Sequence, residues 1–227
     1  MPAYNEEEML ETAVAEATAA GEANFTEFEI LIVDDGSTDR TAQIADRLGS
    51  EQERIRVVHH AHNRGFSGAM LSCVQNAVGQ YVFMGPADGQ ANFQDVARFW
   101  ALVDRYDLIF SYRQHRGDAA GRKAASTLWY LFIRVMLGTR IPEFSSLFCF
   151  RRDSIPQFVV PIRPDASNFL PVLYLTAVRQ RLRVGTIGID HGPRRGGTAK
   201  GGNVANALRT IVEDLILCWR LRIRPRR

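Results

Sequence analysis

Cysteine is scarce. The 227 residues hold three, Cys73, Cys149 and Cys218, far apart and odd in number. No Cys-x-x-Cys pair and no Cys/His spacing occurs, which argues against a disulfide framework and a structural zinc site and fits a reducing compartment. Long hydrophobic runs are also missing. The nearest to one, Ile211 to Leu221, is interrupted by Glu213, Asp214 and Arg220, far short of the roughly 18 apolar residues a membrane span needs. The start reads as lacking a secretory leader, because Met1 and Pro2 are followed by Glu6, Glu7 and Glu8. There is no internal repeat and no low-complexity stretch. With 46% hydrophobic and 23% charged residues, the composition is that of an ordinary globular chain. At about 150 residues per domain, the length predicts one large domain with an appendage.

Charge is nearly balanced overall but unevenly placed. Residues 179–227 carry 12 Lys/Arg against 3 Asp/Glu, a net +9, whereas residues 1–178 carry 16 and 22, a net −6. An acidic body with a basic C-terminal quarter predicts that the tail meets anions, with lipid headgroups, phosphorylated substrate and nucleic acid as the classes to separate. No aromatic-basic RNA-binding motif accompanies the tail, so nucleic acid is set aside.

The first half alternates strand and helix patterns. Helices are predicted over 6–20 (Asn5 as N-cap), from a Ser37 or Thr38 cap to 48, over 65–78 and over 93–103. Strands are predicted over 28–33, 55–60, 81–84 and 108–111. Beyond residue 112 a helix is predicted over 119–137, a strand over 147–150, a helix over 167–180 and a strand over 184–189. Residues 191–202 hold five glycines and read as a loop, and 203–221 as a final helix before a basic end. Strands separated by single helices imply right-handed crossovers and a mostly parallel sheet covered by helices on both faces. Met1-Pro2-Ala3 resembles the end of a first strand, so that strand is expected to be truncated, through a missing piece or a start codon assigned too late.

Ligands of such sheets bind beyond the carboxyl ends of the strands. Four segments fall there: Pro2-Ala3-Tyr4-Asn5-Glu6-Glu7, Val33-Asp34-Asp35-Gly36-Ser37-Thr38-Asp39, Asn63-Arg64-Gly65 and Gly85-Pro86-Ala87-Asp88-Gly89-Gln90. In this order they resemble the inverting family 2 nucleotide-sugar glycosyltransferases of GT-A, Rossmann-like fold. Within that family they are most similar to the polyprenyl-phosphate sugar transferases of the dolichol-phosphate mannosyltransferase type. Later segments carry the same resemblance more weakly: Arg113 after a strand, Phe150-Arg151-Arg152, and Arg194-Arg195-Gly196-Gly197-Thr198-Ala199-Lys200, where Ala199 replaces the family's serine. The expected organisation is an α/β GT-A domain over 1–202 and an amphipathic helix with a basic tail over 203–227.

The resemblance implies roles. Pro2, Tyr4, Glu6, Val33, Asp34, Asp35, Pro86 and Ala87 would line the nucleotide-sugar pocket. An aromatic ring can stack on a base, and a carboxylate can accept from base N–H or ribose hydroxyls. The plain alternative for Asp34, Asp35 and Asp39 is turn and cap duty. Asp88 and Gln90 would hold Mg²⁺ or Mn²⁺, hard cations that take oxygen ligands. The family's D-x-D has Pro86 at its first position here, which predicts a weakened metal site. Asp88, Arg113, Arg194 and Lys200 make up the expected catalytic set, the three cations meeting phosphates. His59, His60 and His62 do not read as a metal site, because neighbours along a strand point to opposite faces.

A hydroxyl acceptor would need a general base, and residues 167–174 contain no acid. A phosphate monoester is already ionised at neutral pH and needs cations instead. The expected reaction therefore moves a hexose from a UDP- or GDP-sugar to a polyprenyl phosphate. The expected setting is the cytoplasmic membrane face, with the basic C-terminus on the lipid surface. Two alternatives stand: transfer to a soluble glycan, and a catalytically weak relative that only binds nucleotide sugar.

Overall fold

The computed structural model describes residues 1–114, 141–142, 144–154 and 169–190, together with positions 131, 134, 135 and 138. The expected helix over 119–137, most of its residues, the glycine-rich loop at 191–202 and the helix and tail at 203–227 lie outside the described residues.

Seven strands and five α-helices are seen among the described residues. In chain order these are β1 (Pro2–Ala3), α1 (Leu10–Asn24), β2 (Ile30–Asp34), α2 (Thr41–Glu51), β3 (Ile55–His59), α3 (Gly65–Asn76) and β4 (Tyr81–Met84). They continue with α4 (Val96–Trp100), β5 (Leu108–Arg113), β6 (Phe148–Arg151), α5 (Phe169–Arg179) and β7 (Val184–Ile189). β1, β2 and β3 form a parallel sheet in that order, and a second sheet runs β4-β6-β5-β7. β6 is antiparallel to both of its neighbours, while β5 and β7 are parallel. β4 and β5 therefore point the same way, and the Ala87 N–H donates to the Pro2 carbonyl at 3.3 Å, tying the two sheets together at their carboxyl ends.

The strands are apolar on both faces because both are covered. Ile30 and Ile32 join a cluster with Leu10, Val14 and Phe99 from α1 and α4. Leu31 and Val33, one residue along the pleat, join the opposite cluster with Met70 from α3 and Phe169 from α5. Phe110, Phe148 and Phe150 are enclosed in this second cluster, and burying each contributes about 1.5–3 kcal/mol.

Three local expectations change. Asn5 does not cap α1, which starts at Leu10 without a side-chain cap. Asn5 instead takes a left-handed conformation, φ 51°. It receives Ser37 and Thr38 as partners, so a residue suited to αL turns the chain rather than starting a helix. Ser37 and Thr38 do not cap α2, because the Asp39 carboxylate accepts from the Thr41 N–H at 2.9 Å, two residues later. The helix expected over 93–103 is a short 3₁₀ turn, Phe93–Asp95, followed by the five-residue α4.

Candidate active site

The carboxyl ends of β1, β2, β3, β4, β5 and β7 share one edge. Four hydrogen bonds shape the first two of them. The Asp35 N–H donates to the Ala3 carbonyl at 2.9 Å, which continues the β1–β2 ladder past the strand ends. The loop after β1 is latched onto the loop after β2. The Asn5 N–H donates to Ser37 Oγ at 2.9 Å, and the Thr38 N–H donates to Asn5 Oδ1 at 2.8 Å. The Glu6 N–H donates to Thr41 Oγ1 at 2.8 Å. Tyr4, Asn5 and Glu6 are thus placed by the Asp-Gly-Ser-Thr-Asp segment rather than by their own helix. Gly36 makes this turn possible: its φ is +68°, and a Cβ there would meet the His62 backbone at 2.6 Å.

Asp34 and Asp35 are both buried but face different partners. Asp34 Oδ1 accepts from the Ser37 N–H at 3.1 Å, and its Oδ2 meets His59 Nδ1 at 3.0 Å. His59 Nε2 meets Asp46 at 3.0 Å. Two carboxylates on one imidazole call for both ring protons, and the bond to Asp34, against some desolvation, raises the His59 pKa above its ordinary value.

Asp35 Oδ1 accepts from the Arg64 N–H at 2.9 Å and lies 2.6 Å from His60 Nδ1. His60 Nε2 lies 2.8 Å from Ser72 Oγ and 3.5 Å from an Arg64 guanidinium nitrogen. The carboxylate and the guanidinium assign the proton to Nδ1 and make Nε2 the acceptor. His60 is enclosed, its side chain 5% exposed. Asp35 is held through Oδ1 alone among the described residues, so Oδ2 is left to meet a ligand. His60, Arg64 and Ser72 were not among the expected site residues. A signal for them exists: β2 ends in Asp-Asp and β3 in His-His, and in parallel register the pairs face each other.

Asp39 serves the turn. Burial pushes its carboxyl up, but hydrogen bonds from Thr41 and Glu7 outweigh this and hold it below the usual carboxylate range. Val33 and Ala87 are 0% and 1% exposed and sit inside the two apolar clusters. Pro2, Tyr4 and Glu6 are half-buried along the edge.

At the tip of β4, Gly89 has φ +70°, and the Gln90 N–H donates to Asp88 Oδ1 at 3.1 Å. This folds the Gln90 backbone over Asp88 and leaves Asp88 Oδ2 and the Gln90 amide oxygen as hard donors. Among the described residues no group of three His, Cys, Asp or Glu could hold a metal. One carboxylate and one amide oxygen suit a cation such as Mg²⁺ that takes its remaining ligands from diphosphate and water. Arg113 ends β5 on the same edge, two strand spacings from β4 across β6, or about 10 Å. Arg194 and Lys200 lie outside the described residues. Arg151 and Arg152 fall on the opposite edge, since Arg151 is paired with Tyr81 at the start of β4.

A sheet with this order and this edge is that of a nucleotide-sugar glycosyltransferase fold. The domain profile of Glycosyl transferase family 2 matches residues 1–166, and the chain belongs to that family. It is 30% identical over 220 residues to the undecaprenyl-phosphate 4-deoxy-4-formamido-L-arabinose transferase of Pectobacterium carotovorum subsp. carotovorum, covering 96% of this chain and 65% of that protein. The proteins of the same name from Pectobacterium atrosepticum and Edwardsiella ictaluri are 29% and 28% identical. The chain thus spans about two thirds of the length of these relatives. Among solved structures, glucosyl-3-phosphoglycerate synthase from Mycobacterium tuberculosis superimposes with a TM-score of 0.72 at 20% identity, covering 96% of this chain and 78% of that one. The same enzyme has been crystallised with Mn²⁺ and UDP-glucose. TarS of S. aureus, in complex with UDP-GlcNAc, gives 0.61 at 19% identity, covering 89% and 59%. At these identities the structures establish the fold.

Proposed function

We propose that the protein transfers a sugar from a nucleotide diphosphate to a polyprenyl phosphate, with inversion. The observation that carries this reading is the latched edge. Tyr4, Asp35 and Asp88 stand on adjacent strand ends, with Asp35 fixed from behind and one of its oxygens available. Tyr4 stacks on the base, and Asp35 accepts from base N–H or ribose hydroxyls. Asp88 and Gln90 would hold Mg²⁺ or Mn²⁺, which when bound offsets the charge of the donor diphosphate as it leaves. Arg113, with Arg194 and Lys200, binds phosphate oxygens. The acceptor phosphate is already ionised at neutral pH, so no protein base has to take its proton. The names of the relatives make undecaprenyl phosphate the first acceptor to test and 4-deoxy-4-formamido-L-arabinose a donor sugar to test beside hexoses.

The basic C-terminal quarter fits a protein that works on a lipid while bound to the cytoplasmic face of a membrane. Among the described residues no helix is long and apolar enough to cross one.

The decisive experiment supplies a panel of labelled UDP- and GDP-sugars, short-chain polyprenyl phosphate and divalent cation. Lipid-linked label that depends on the cation and falls at least about 100-fold in Asp88→Ala supports the reading, a loss of roughly 2.7 kcal/mol in transition-state stabilisation. Label appearing on soluble glycan instead would overturn the acceptor. Pro86 favours a second reading, since one carboxylate stands where the family has two: a protein that binds nucleotide sugar without turnover. Thermal stabilisation by the nucleotide sugar with no product in any arm is the result expected from that reading.

A further inference from the structure

Phe66 lies in the first turn of α3, at the edge described above, and it is 43% exposed. Trp100 is exposed to nearly the same degree but packs edge-on against Phe25 and Tyr81, at 5.0 and 5.2 Å. Phe66 meets no other ring among the described residues. Its exposure is a matter of height. Phe66, Met70 and Cys73 recur at helical spacing and share the side of α3 that faces the sheet. Met70 is fully buried in the cluster of Leu31 and Val33, and Cys73 Sγ lies 3.8 Å from the Met1 amino group, just before β1. From Cys73 back to Phe66 the helix climbs about 10 Å, at ~1.5 Å per residue. From Met1 to Tyr4 the chain climbs about 10 Å, at ~3.3 Å per residue. Phe66 therefore stands level with Tyr4, beyond the last strand residues that could bury it. The pleat turns the site groups toward it. Pro2 pairs with Val33, whose side chain faces α3 in the second cluster. Two positions on, Tyr4 and Asp35 take that same face, and Asp35 accepts from the N–H of Arg64, two residues before Phe66.

On the nucleotide-sugar reading proposed above, we infer that Phe66 is a further nucleotide-binding residue: its ring covers the face of the donor's nucleobase opposite Tyr4. The base is then held between two rings, Tyr4 on the sheet side and Phe66 on the helix side, while Asp35 Oδ2 accepts its N–H. Two features select this occupant. The exposed ring offers a flat apolar face, and the carboxylate oxygen beside it needs a donor. A nucleobase brings both a π face and ring N–H groups. An isoprene chain lacks the donor, and a hexose lacks the aromatic face. Stacking tolerates any base, since every base presents a π face. Phe66 therefore adds affinity and leaves the choice between uracil and guanine to hydrogen bonds.

The test measures binding of UDP and GDP by calorimetry with Mg²⁺ present, and of inorganic pyrophosphate as a probe without a base. The full chain is compared with Phe66→Ala, Phe66→Leu, Phe66→Trp and Tyr4→Ala. The nucleotide that binds the parent is expected to lose about fivefold or more in affinity with Phe66→Ala. Phe66→Leu should lose nearly as much, because it restores bulk without a π face, and Phe66→Trp should keep the parent affinity. Pyrophosphate affinity and Tm should stay at the parent values. Nucleotide should also quench the added indole of Phe66→Trp beyond any change in the parent. Unchanged nucleotide affinity in Phe66→Ala beside a loss in Tyr4→Ala overturns the inference and leaves the nucleotide-sugar reading standing. Equal losses for nucleotide and pyrophosphate overturn it too, because the damage then lies away from the base. So does an unchanged nucleotide affinity with weakened use of polyprenyl phosphate, which would give the ring to the acceptor. A parent chain that binds neither nucleotide fails the nucleotide-sugar reading itself, and the inference with it.

Discussion

His60 supports Asp35 from behind with its side chain almost fully enclosed. Replacing it by Gln keeps a donor but changes its reach. The His60→Gln variant is expected to lose about 1–3 kcal/mol of stability in urea unfolding, because a buried carboxylate is left short of a partner. Nucleotide affinity, read by calorimetry, is expected to fall about tenfold, equivalent to 1.4 kcal/mol. His59 makes a different prediction. Its folded pKa is raised by Asp34, so its contribution is complete below the unfolded value of about 6.5 and is lost as pH rises through the folded value. Stability of the parent chain should therefore decline above that pH more than that of His59→Gln, in paired denaturation series. The effect is small because the ring is more than a third exposed.

At the scale of elements, the turn after β2 carries much of the proposed site, and Gly36 is its pivot. Gly36→Ala puts a Cβ against the His62 backbone in a left-handed conformation. It should cost about 1–3 kcal/mol in thermal or urea unfolding and weaken nucleotide binding through the displaced Asp35. The central elements were legible from local pattern: Ile30 to Val33 and Tyr81 to Met84 are unbroken apolar runs, and α2 and α4 each follow a segment that contains Asp and Gly. What pattern could not supply was pairing across distance. Phe148 to Arg151 reads as a strand, but nothing local says that it inserts antiparallel between β4 and β5. The same limit applied in the site. Asp34, Asp35 and Asp88 were visible as tip carboxylates, whereas the Asn5 latch depends on Ser37 and Thr38, more than 30 positions away. His60 was visible as a residue but not as the partner of Asp35, because that pairing exists only once β2 and β3 are in register.

For the whole molecule, the dominant asymmetry is electrostatic. The last 49 residues carry a net +9 and the remainder −6. Attachment to vesicles containing anionic lipid should weaken by an order of magnitude or more between low salt and about 0.5 M salt, as the screening length shrinks. Cosedimentation across a salt series reads this. Binding that is indifferent to salt, or equal on neutral vesicles, would exclude a charge-driven contact. Removing residues 219–227 should reduce attachment while leaving nucleotide-induced thermal stabilisation intact, since the strand-tip edge lies elsewhere in the chain.

The facing Asp-Asp and His-His pairs have a consequence for how the chain finds its fold. Asp34 lies opposite His59 in the β2–β3 ladder, and the next residue of each strand repeats the match on the other side of the sheet. Sliding one strand past the other by a single position would turn His60 toward the face of Asp34 and leave Asp35 with no imidazole. It would also carry the apolar rows of β3 to the wrong sides. Two acid–base contacts on opposite faces therefore act as a combination lock on alignment, and Asp35, the carboxylate proposed to meet the nucleotide, is also one of its tumblers.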